Sequence, residues 1–417
     1  MDPTEKIVSL TKRRGFIYPG SEIYGGVGGI YDYGPLGVLM KNNLKQLWWQ
    51  WMTLDHEDIV GIDGAIITHP KVWAASGHVK GFVDPLTECK KCHHRFKADD
   101  IDGQICPDCG GELTAPKNFN TLVPTELGVI EEEKVKTYLR GEACQTIYLN
   151  FKNVVDSTRV KLPFGIVQIG KAFRNEVTFG NFIFRLREFE QWDLQWFTRP
   201  EDMAKWYDYW KQARMDWYSS LFNHPENLSF HQHEKLAFYA QKAFDIQYQG
   251  REMEGIHWRS DWDLGRHSQF SGQDLTFEGL IPHIVETSGG VDRCFLFLLL
   301  DAYAEEGERV ILKLHPRIAP VKVAVFPLLA NKPDLVAKAR DIYRHLKTQL
   351  HLSTIWDDRG NIGKRYYAQD EIGTPWCVTV DFQTLEDHTV TIRDRDSASQ
   401  IRLPAAELDT YFTNRLK

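Results

Sequence analysis

No apolar run in this 417-residue chain is long enough to cross a membrane; the strongest, residues 295–300, stops at Asp301. The N-terminal segment carries Lys6, Lys12, Arg13 and Arg14 among polar residues and has no apolar signal core. Bulk positive charge is missing as well. The formal net charge is −7, which argues against a polycation that coats nucleic acid but leaves local basic grooves open. The glycine-rich stretch Gly25-Gly26-Val27-Gly28-Gly29 lacks the lysine and the serine or threonine of a P-loop, so its glycines alone say little about phosphate. At 42% hydrophobic and 26% charged, the composition is ordinary for a globular protein with a substantial core, and a cytoplasmic enzyme is the expected class. Its length suits about two or three domains.

Cysteine is scarce but patterned. Of 7 cysteines, Cys89, Cys92, Cys106 and Cys109 form CxxC-x13-CxxC, and Gly110-Gly111 closes the second knuckle. Each pair wraps two thiolates around a metal, and zinc is expected over disulfides in a reducing compartment; a bare knuckle is the alternative. Four thiolates leave no open coordination position, so such a site is structural. Cys144, Cys294 and Cys377 sit in apolar contexts and read as core.

Arginine is concentrated where the chain reads as extended. Phe173-Arg174-Asn175-Glu176 and Phe184-Arg185-Leu186-Arg187-Glu188-Phe189 flank a loop with the turn signal Gly180-Asn181. As strands of a central hairpin they would put Arg185 and Arg187 on one face, with Phe184 and Glu188 on the other. Guanidinium forks match phosphates bidentately, so the hairpin suits a bent nucleoside triphosphate. A solvated basic face would account for any single Arg-x-Arg.

Elsewhere, a helix is expected over 5–13, an aromatic-striped helix over 36–52, a strand running to Ile66-Ile67-Thr68-His69-Pro70, and a Trp- and Tyr-rich helix over 201–221. In 250–265, Glu252 and Glu254 share a strand face, followed by Arg259, Asp261 and Asp263. Carboxylates beside a triphosphate are natural Mg²⁺ ligands; a solvated acidic edge is the bland reading. Glu286-Thr287-Ser288-Gly289-Gly290-Val291-Asp292-Arg293 leads into an apolar helix. A cation in the first helical turn opposes the helix dipole, which suggests an anion shared by Arg293 and the helix terminus.

These three elements, in this order, resemble the signature motifs of class II aminoacyl-tRNA synthetases, and over nearly the whole chain the details resemble the dimeric glycyl-tRNA synthetases. The matching strings include Arg13-Arg14-Gly15-Phe16, Pro19-Gly20-Ser21-Glu22-Ile23-Tyr24-Gly25-Gly26, Tyr31-Asp32-Tyr33-Gly34-Pro35-Leu36-Gly37, Ala75-Ser76-Gly77-His78, Gln369-Asp370-Glu371-Ile372-Gly373-Thr374-Pro375 and Thr384-Leu385-Glu386-Asp387. The resemblance implies an α+β fold: a class II synthetase catalytic core, an antiparallel sheet flanked by helices, with a zinc-ribbon-like insertion and a C-terminal α/β anticodon-binding domain. The implied divisions are 1–83 and 151–315 for the core, 84–150 for the insertion and 320–417 for the anticodon-binding domain. It implies ATP contacts from Arg174, Asn175, Glu176, Phe184, Arg185, Arg187, Phe189, Glu252, Met253, Gly290 and Arg293, with Arg174, Glu176 and Arg293 central to catalysis. It implies a glycine pocket of Glu142, Glu190, Asp193, Arg259, Glu286 and Ser288. The partners it implies are glycine, ATP with Mg²⁺, tRNA(Gly) and a second copy of the chain, with Pro70 in the dimer-interface motif. The expected chemistry is attack of the glycine carboxylate on the α-phosphorus, then transfer to the tRNA 3′-hydroxyl, with no obvious protein general base.

Several positions depart from the family pattern. Glu286-Thr287-Ser288-Gly289-Gly290 stands where Glu-Pro-Ser-Ala-Gly is usual, and Trp192-Asp193 stands where Met-Glu is usual. Arg140-Gly141-Glu142-Ala143-Cys144-Gln145 replaces Arg-Pro-Glu-Thr-Ala-Gln, and Lys97, with Arg95 nearby, stands at a substrate-contacting arginine. These changes keep a second reading open, a catalytically inactive synthetase-like paralogue acting as a nucleic-acid-binding dimer. The segment after 320 reads independently as α/β, joined through a linker at 314–320. It holds 14 Lys+Arg against 13 Asp+Glu, a balance of +1 against −8 for the rest, which permits tRNA contact.

Overall fold

Seven strands form the central sheet of the computed structural model, which describes residues 3–98, 101, 103–177 and 182–416. In chain order they are β1 (Ile59–Gly61), β2 (Phe164–Phe173), β3 (Glu188–Thr198), β4 (Leu228–Gln232), β5 (Lys242–Tyr248), β6 (Arg251–Ser260) and β7 (His283–Gly290). Their order across the sheet is β4-β5-β6-β7-β3-β2-β1. Every pairing is antiparallel except β1 with β2. One face is packed by three helices, α2 (Pro35–Thr53), α3 (Met203–Ser219) and α5 (Val291–Ala302), after the N-terminal α1 (Pro3–Arg14); α4 (Trp262–Ser271) follows β6. Proline at the first position of α2 supplies a preset φ, and Met40, Leu44, Leu47, Trp48 and Met52 make its buried stripe. Trp48 stacks on Trp192 of β3 with centroids 5.7 Å apart, which ties helix to sheet. The other face of β3 and β7 is left for polar side chains.

Between β1 and β2 the chain forms the insertion. A three-stranded sheet, ordered Arg95–Lys97, Val83–Glu88, Lys117–Asn120, carries the cysteine knuckles, and a hairpin pairs Val123–Leu127 with Val135–Leu139. The C-terminal sheet holds β8 (Val323–Pro327), β9 (Thr354–Trp356), β10 (Trp376–Val380), β11 (Thr389–Asp394) and β12 (Gln400–Pro404), ordered β9-β8-β10-β11-β12. Its helices include α6 (Pro333–Thr348), α7 (Ile362–Asp370) and α8 (Leu408–Arg415).

Four expectations need correction. The two arginine segments are not strands: β2 ends at Phe173 and β3 begins at Glu188, so Arg174, Arg185 and Arg187 lie in the connection. The Arg187 N–H is taken by Gly29 O at 2.8 Å instead of a neighbouring strand. The turn signal Gly180-Asn181 lies outside the described residues. The strand expected up to 66–70 stops at Gly61, because Gly64 N–H donates to the Gln168 side chain at 3.1 Å. The linker at 314–320 is no loose tether: Leu314, Ile318 and Ala319 are buried, and Asn43 Nδ2 donates to Ile318 O and Ala319 O at 3.2 and 2.9 Å. Finally, the stretch over 376–382 reads as a single strand, but β10 stops at Val380 and a capping box at Asp381 and Thr384 starts a helix at Phe382.

Candidate active site

A cleft of about 1100 Å³, open to solvent at its mouth, lies over the polar face of β3, β6 and β7. On its arginine side, Arg174 sits between two rings, 4.9 Å from the centroid of Phe82 and 5.3 Å from that of Phe189. Its Nε donates to Gly141 O at 3.1 Å, which fixes the guanidinium's direction. Glu176 is buried and its Oε2 has no hydrogen-bond partner among the described residues. Opposite, Arg293 lies 4.7 Å over the Phe184 ring, donates to Phe184 O at 3.2 Å and pairs with Glu252 Oε1 at 2.8 Å. Arg185 and Met253 also line this part of the cleft. Two expected nucleotide contacts do not. Asn175 is held by its backbone on Thr121 O at 2.7 Å, and Arg187 Nε braces the connection by donating to Glu176 O at 3.0 Å.

The inner end is acidic. Glu142 lies 3.0 Å from His78 Nε2 and accepts from Cys144 Sγ at 3.0 Å and Gln145 Nε2 at 2.9 Å. Glu286 is bound by Arg259 Nη1 and by His257 Nδ1, each at 2.9 Å, and by Gln195 Nε2 at 2.9 Å. Burial alone would raise the Glu142 carboxyl, but His78 and Arg259 hold it well below the usual carboxylate range. Burial likewise opposes ionisation of Glu286, yet Arg259 and His257 bring it down to about 2. Asp193 behaves in the opposite way. It is 1% exposed, and neither of its oxygens makes a close hydrogen bond among the described residues; burial followed by Glu286 pushes it well above the usual range, with Ser288 across the ladder pulling the other way and Glu142 adding to the rise. A buried, unpartnered carboxylate costs stability unless something else satisfies it. Asp193 shares the parity of Phe189 and Gln191 on β3, but it is not among the residues that line the cleft.

Strand geometry sorts the remaining expectations. Side chains alternate along β3, so Phe189 and Gln191 face the cleft, whereas Glu190 points to the helices and pairs with Lys41 at 3.1 Å and Lys45 at 2.8 Å. Glu190 is therefore not part of the acidic end; Gln191, which donates to Ser288 Oγ at 3.5 Å and accepts from Ala143 N–H at 3.1 Å, holds that place. Arg259 lies beneath the floor, donating to Asp263 at 2.8 and 3.0 Å as well as to Glu286, with its guanidinium 3.8 Å over Tyr239. The face shared by Glu252 and Glu254 is split by a β-bulge between β5 and β6. Glu252 stays at the cleft, while Glu254 is fully buried against Arg214, at 2.6 Å, and Trp192. Asp263 is taken by Arg259, leaving Glu252 as the expected carboxylate at the mouth. His233, Tyr239, Asp245 and His257 line the cleft without having been expected. Period-two counting from Gly255 would have found His257. Lys97 and Arg95 stay within the insertion, paired with Asp84 at 2.7 Å and Glu88 at 2.8 Å.

Comparison with known proteins decides the family. Residues 127–303 match the family described as tRNA synthetase class II core domain (G, H, P, S and T), and residues 322–415 match the anticodon binding domain family. The chain is similar to a glycine–tRNA ligase from Treponema denticola, 47% identical over 99% of this chain and 97% of that one. It is similar to one from Thermobifida fusca as well, 46% identical over 99% and 98%. The chain belongs to the glycine–tRNA ligases. Among solved structures, a prolyl-tRNA synthetase from Cryptosporidium parvum, complexed with L-proline and AMP, shares the fold with a TM-score of 0.65 at 12% identity, covering 98% of this chain and 74% of that one.

Two departures from the ligase pattern explain each other. Trp192 and Gly289 are opposite partners of β3 and β7. A Cβ on Gly289 would come within 2.6 Å of Glu254 Oε2 and closer still to Trp192 Nε1. The larger indole therefore requires the smaller residue across the ladder. In the insertion, the sulfurs of Cys89, Cys92, Cys106 and Cys109 all lie within 4.8 Å of one another, which fits a metal held by four thiolates. Backbone N–H groups of Cys92 and Lys91 lower the Cys89 thiol to about 6, while Cys92, despite a backbone N–H from His94, is pushed up to about 12 by burial and the neighbouring thiols; a bound cation would favour the thiolate at both.

Proposed function

We propose that the cleft binds ATP along its arginine side and glycine at its acidic inner end, joins them as glycyl-adenylate, and passes the glycyl group to tRNA(Gly). The observation that carries this reading is the pair Glu142 and Glu286 at the inner end of the cleft, with the buried Asp193 close enough to feel both: carboxylates suit an ammonium and offer an added methyl group no apolar contact. Arg174, Arg185 and Arg293 are the cations available to a bent triphosphate, and Phe189, which lines the cleft beside them, offers its ring to the adenine. In the first step, a glycine carboxylate oxygen forms a bond to the α-phosphorus, and the bond to the bridging oxygen breaks as pyrophosphate leaves with its electron pair. In the second, the terminal ribose 3′-hydroxyl attacks the glycyl carbonyl, gives up its proton, and AMP departs. Catalysis comes from positioning and from arginines aimed at developing charge. Glu252, an oxygen donor at the mouth, would hold Mg²⁺, which supplies charge neutralisation across the phosphates. The four cysteines would hold zinc for structure alone.

The tRNA-reading module is assigned to 320–417, the insertion to 84–150 and the core to 1–83 with 151–315. A homodimer is supported by exposed apolar side chains near the N-terminus, Ile23 and Tyr24 at 88% and 87% exposure. Among the described residues no helix is long and apolar enough to cross a membrane; a cytoplasmic reaction is the setting that suits this tRNA substrate. The test is charging of tRNA with labelled glycine. The wild type is expected to charge, and Arg174→Ala to lose at least about 10²-fold in kcat/KM, the scale of removing a positioned cation at a developing charge. A folded protein that binds tRNA and charges none would favour the inactive, nucleic-acid-binding reading.

A further inference from the structure

The strings Arg13-Arg14-Gly15-Phe16 and Gln369-Asp370-Glu371-Ile372-Gly373-Thr374-Pro375 are used by neither the cleft nor the cysteine cluster, yet the fold brings them together. Arg13 and Arg14, ending α1, both reach Glu371 at the end of α7, Arg13 Nη1 at 2.8 Å. Asp370, one residue earlier, is completely buried and takes arginines from both sides of the junction. Arg393 of β11 binds it bidentately at 2.8 and 3.0 Å, and Arg309, in the hairpin Tyr303–Glu306 with Arg309–Leu312, reaches it at 3.1 Å. Arg309 also donates to Arg395 O at 3.0 Å, and Arg395 Nη1 donates to Gly373 O at 2.8 Å. Gly373 itself has φ +77, and a Cβ there would meet Leu314 Cδ1 at 2.8 Å and Leu312 O at 3.0 Å. Both the left-handed backbone and the close approach demand glycine.

Modules joined by a short segment swivel by default. Here a buried carboxylate shared by arginines of both modules removes that freedom, and buried bidentate geometry outweighs what exposed ion pairs provide. We propose that Asp370 and Glu371 are positioning residues for the tRNA-dependent step: they set the angle at which the C-terminal module stands on the core, so that a tRNA held there delivers its acceptor end to the cleft. The proposal rests on the synthetase reading above. None of these residues lines the cleft. Adenylate formation uses only small ligands and is indifferent to that angle; glycyl transfer is not.

The test measures two activities on one preparation of full-length protein, glycine-dependent ATP–pyrophosphate exchange and tRNA charging. In Glu371→Gln and in Arg13→Gln/Arg14→Gln, exchange stays within about twofold of wild type while KM for tRNA rises about 10-fold, equivalent to roughly 1.4 kcal/mol. Asp370→Asn shifts the same way and further. Because that variant risks misfolding, the Glu371 variants decide, and the reversed pair Arg14→Glu/Glu371→Arg restores KM. Equal losses in both assays, an unchanged KM for tRNA, or no rescue by the reversed pair overturns the proposal. Absence of exchange in the wild type would instead defeat the synthetase reading itself.

Discussion

Trp192 shows how a single residue constrains its neighbours. Its indole N–H donates to Glu254 at 3.0 Å, its ring packs on Trp48, and it leaves Gly289 no room for a methyl group. Gly289→Ala is therefore expected to destabilise by about 1–3 kcal/mol, the usual cost of overpacking, and to cost much less in a Trp192→Met background. Thermal denaturation of the double-mutant cycle checks this; equal costs in both backgrounds would contradict it. Asp193 makes a pH prediction. Its folded pKa is raised, so the free protein keeps a proton there over a range where ordinary carboxylates are charged. Folding stability from this group is greatest at low pH and falls as pH climbs from the unfolded value towards the folded one. Glycine binds as an ammonium and favours the carboxylate, so binding expels the proton and affinity for glycine rises with pH. Glycine titrations across pH are expected to show that rise in the wild type and a flat, weak response in Asp193→Asn.

At the scale of elements, what the sequence revealed depended on periodicity. The helix around Trp48 and the apolar helix after Gly290 were legible because their buried stripes are local patterns. The arginine connection was misread because, among its described backbone N–H groups, only that of Arg174 still pairs across it, with Arg187 O, while those of Arg187 and Asn175 go to Gly29 and Thr121, partners distant in sequence. Glu190 and Glu254 were misassigned to the site side for related reasons: one lies on the wrong parity of β3, the other behind a bulge that counting by twos does not reveal. The acidic end was legible as a set of residues but not as an arrangement, since Arg259 beneath Glu286 depends on how β6 meets β7. The cysteine spacing needed no tertiary information. Zinc analysis of purified protein is expected to find metal stoichiometric with the chain, lost in Cys106→Ser along with protease resistance of residues 89–109, since a four-thiolate site supplies folding free energy to a small ribbon. Full resistance in metal-free protein would contradict it.

For the whole molecule, two sheets with separate cores divide the labour. The antiparallel sheet presents a cleft with cations at one end and carboxylates at the other, and the C-terminal sheet stands on it through Asp370. On the proposed reading, that charge separation orients the substrates: the ammonium inward, the phosphates outward, and the reacting carboxylate between them. The most direct measurement is ATP–pyrophosphate exchange without tRNA, comparing glycine with alanine in the wild type and glycine alone in Asp193→Asn. Glycine-dependent exchange, rejection of alanine by at least about 10-fold, the low end of what one methyl group costs, and loss of exchange in Asp193→Asn are the predicted results. Exchange that is independent of the amino acid supplied, or undiminished in Asp193→Asn, would contradict the assignment of the acidic end to glycine.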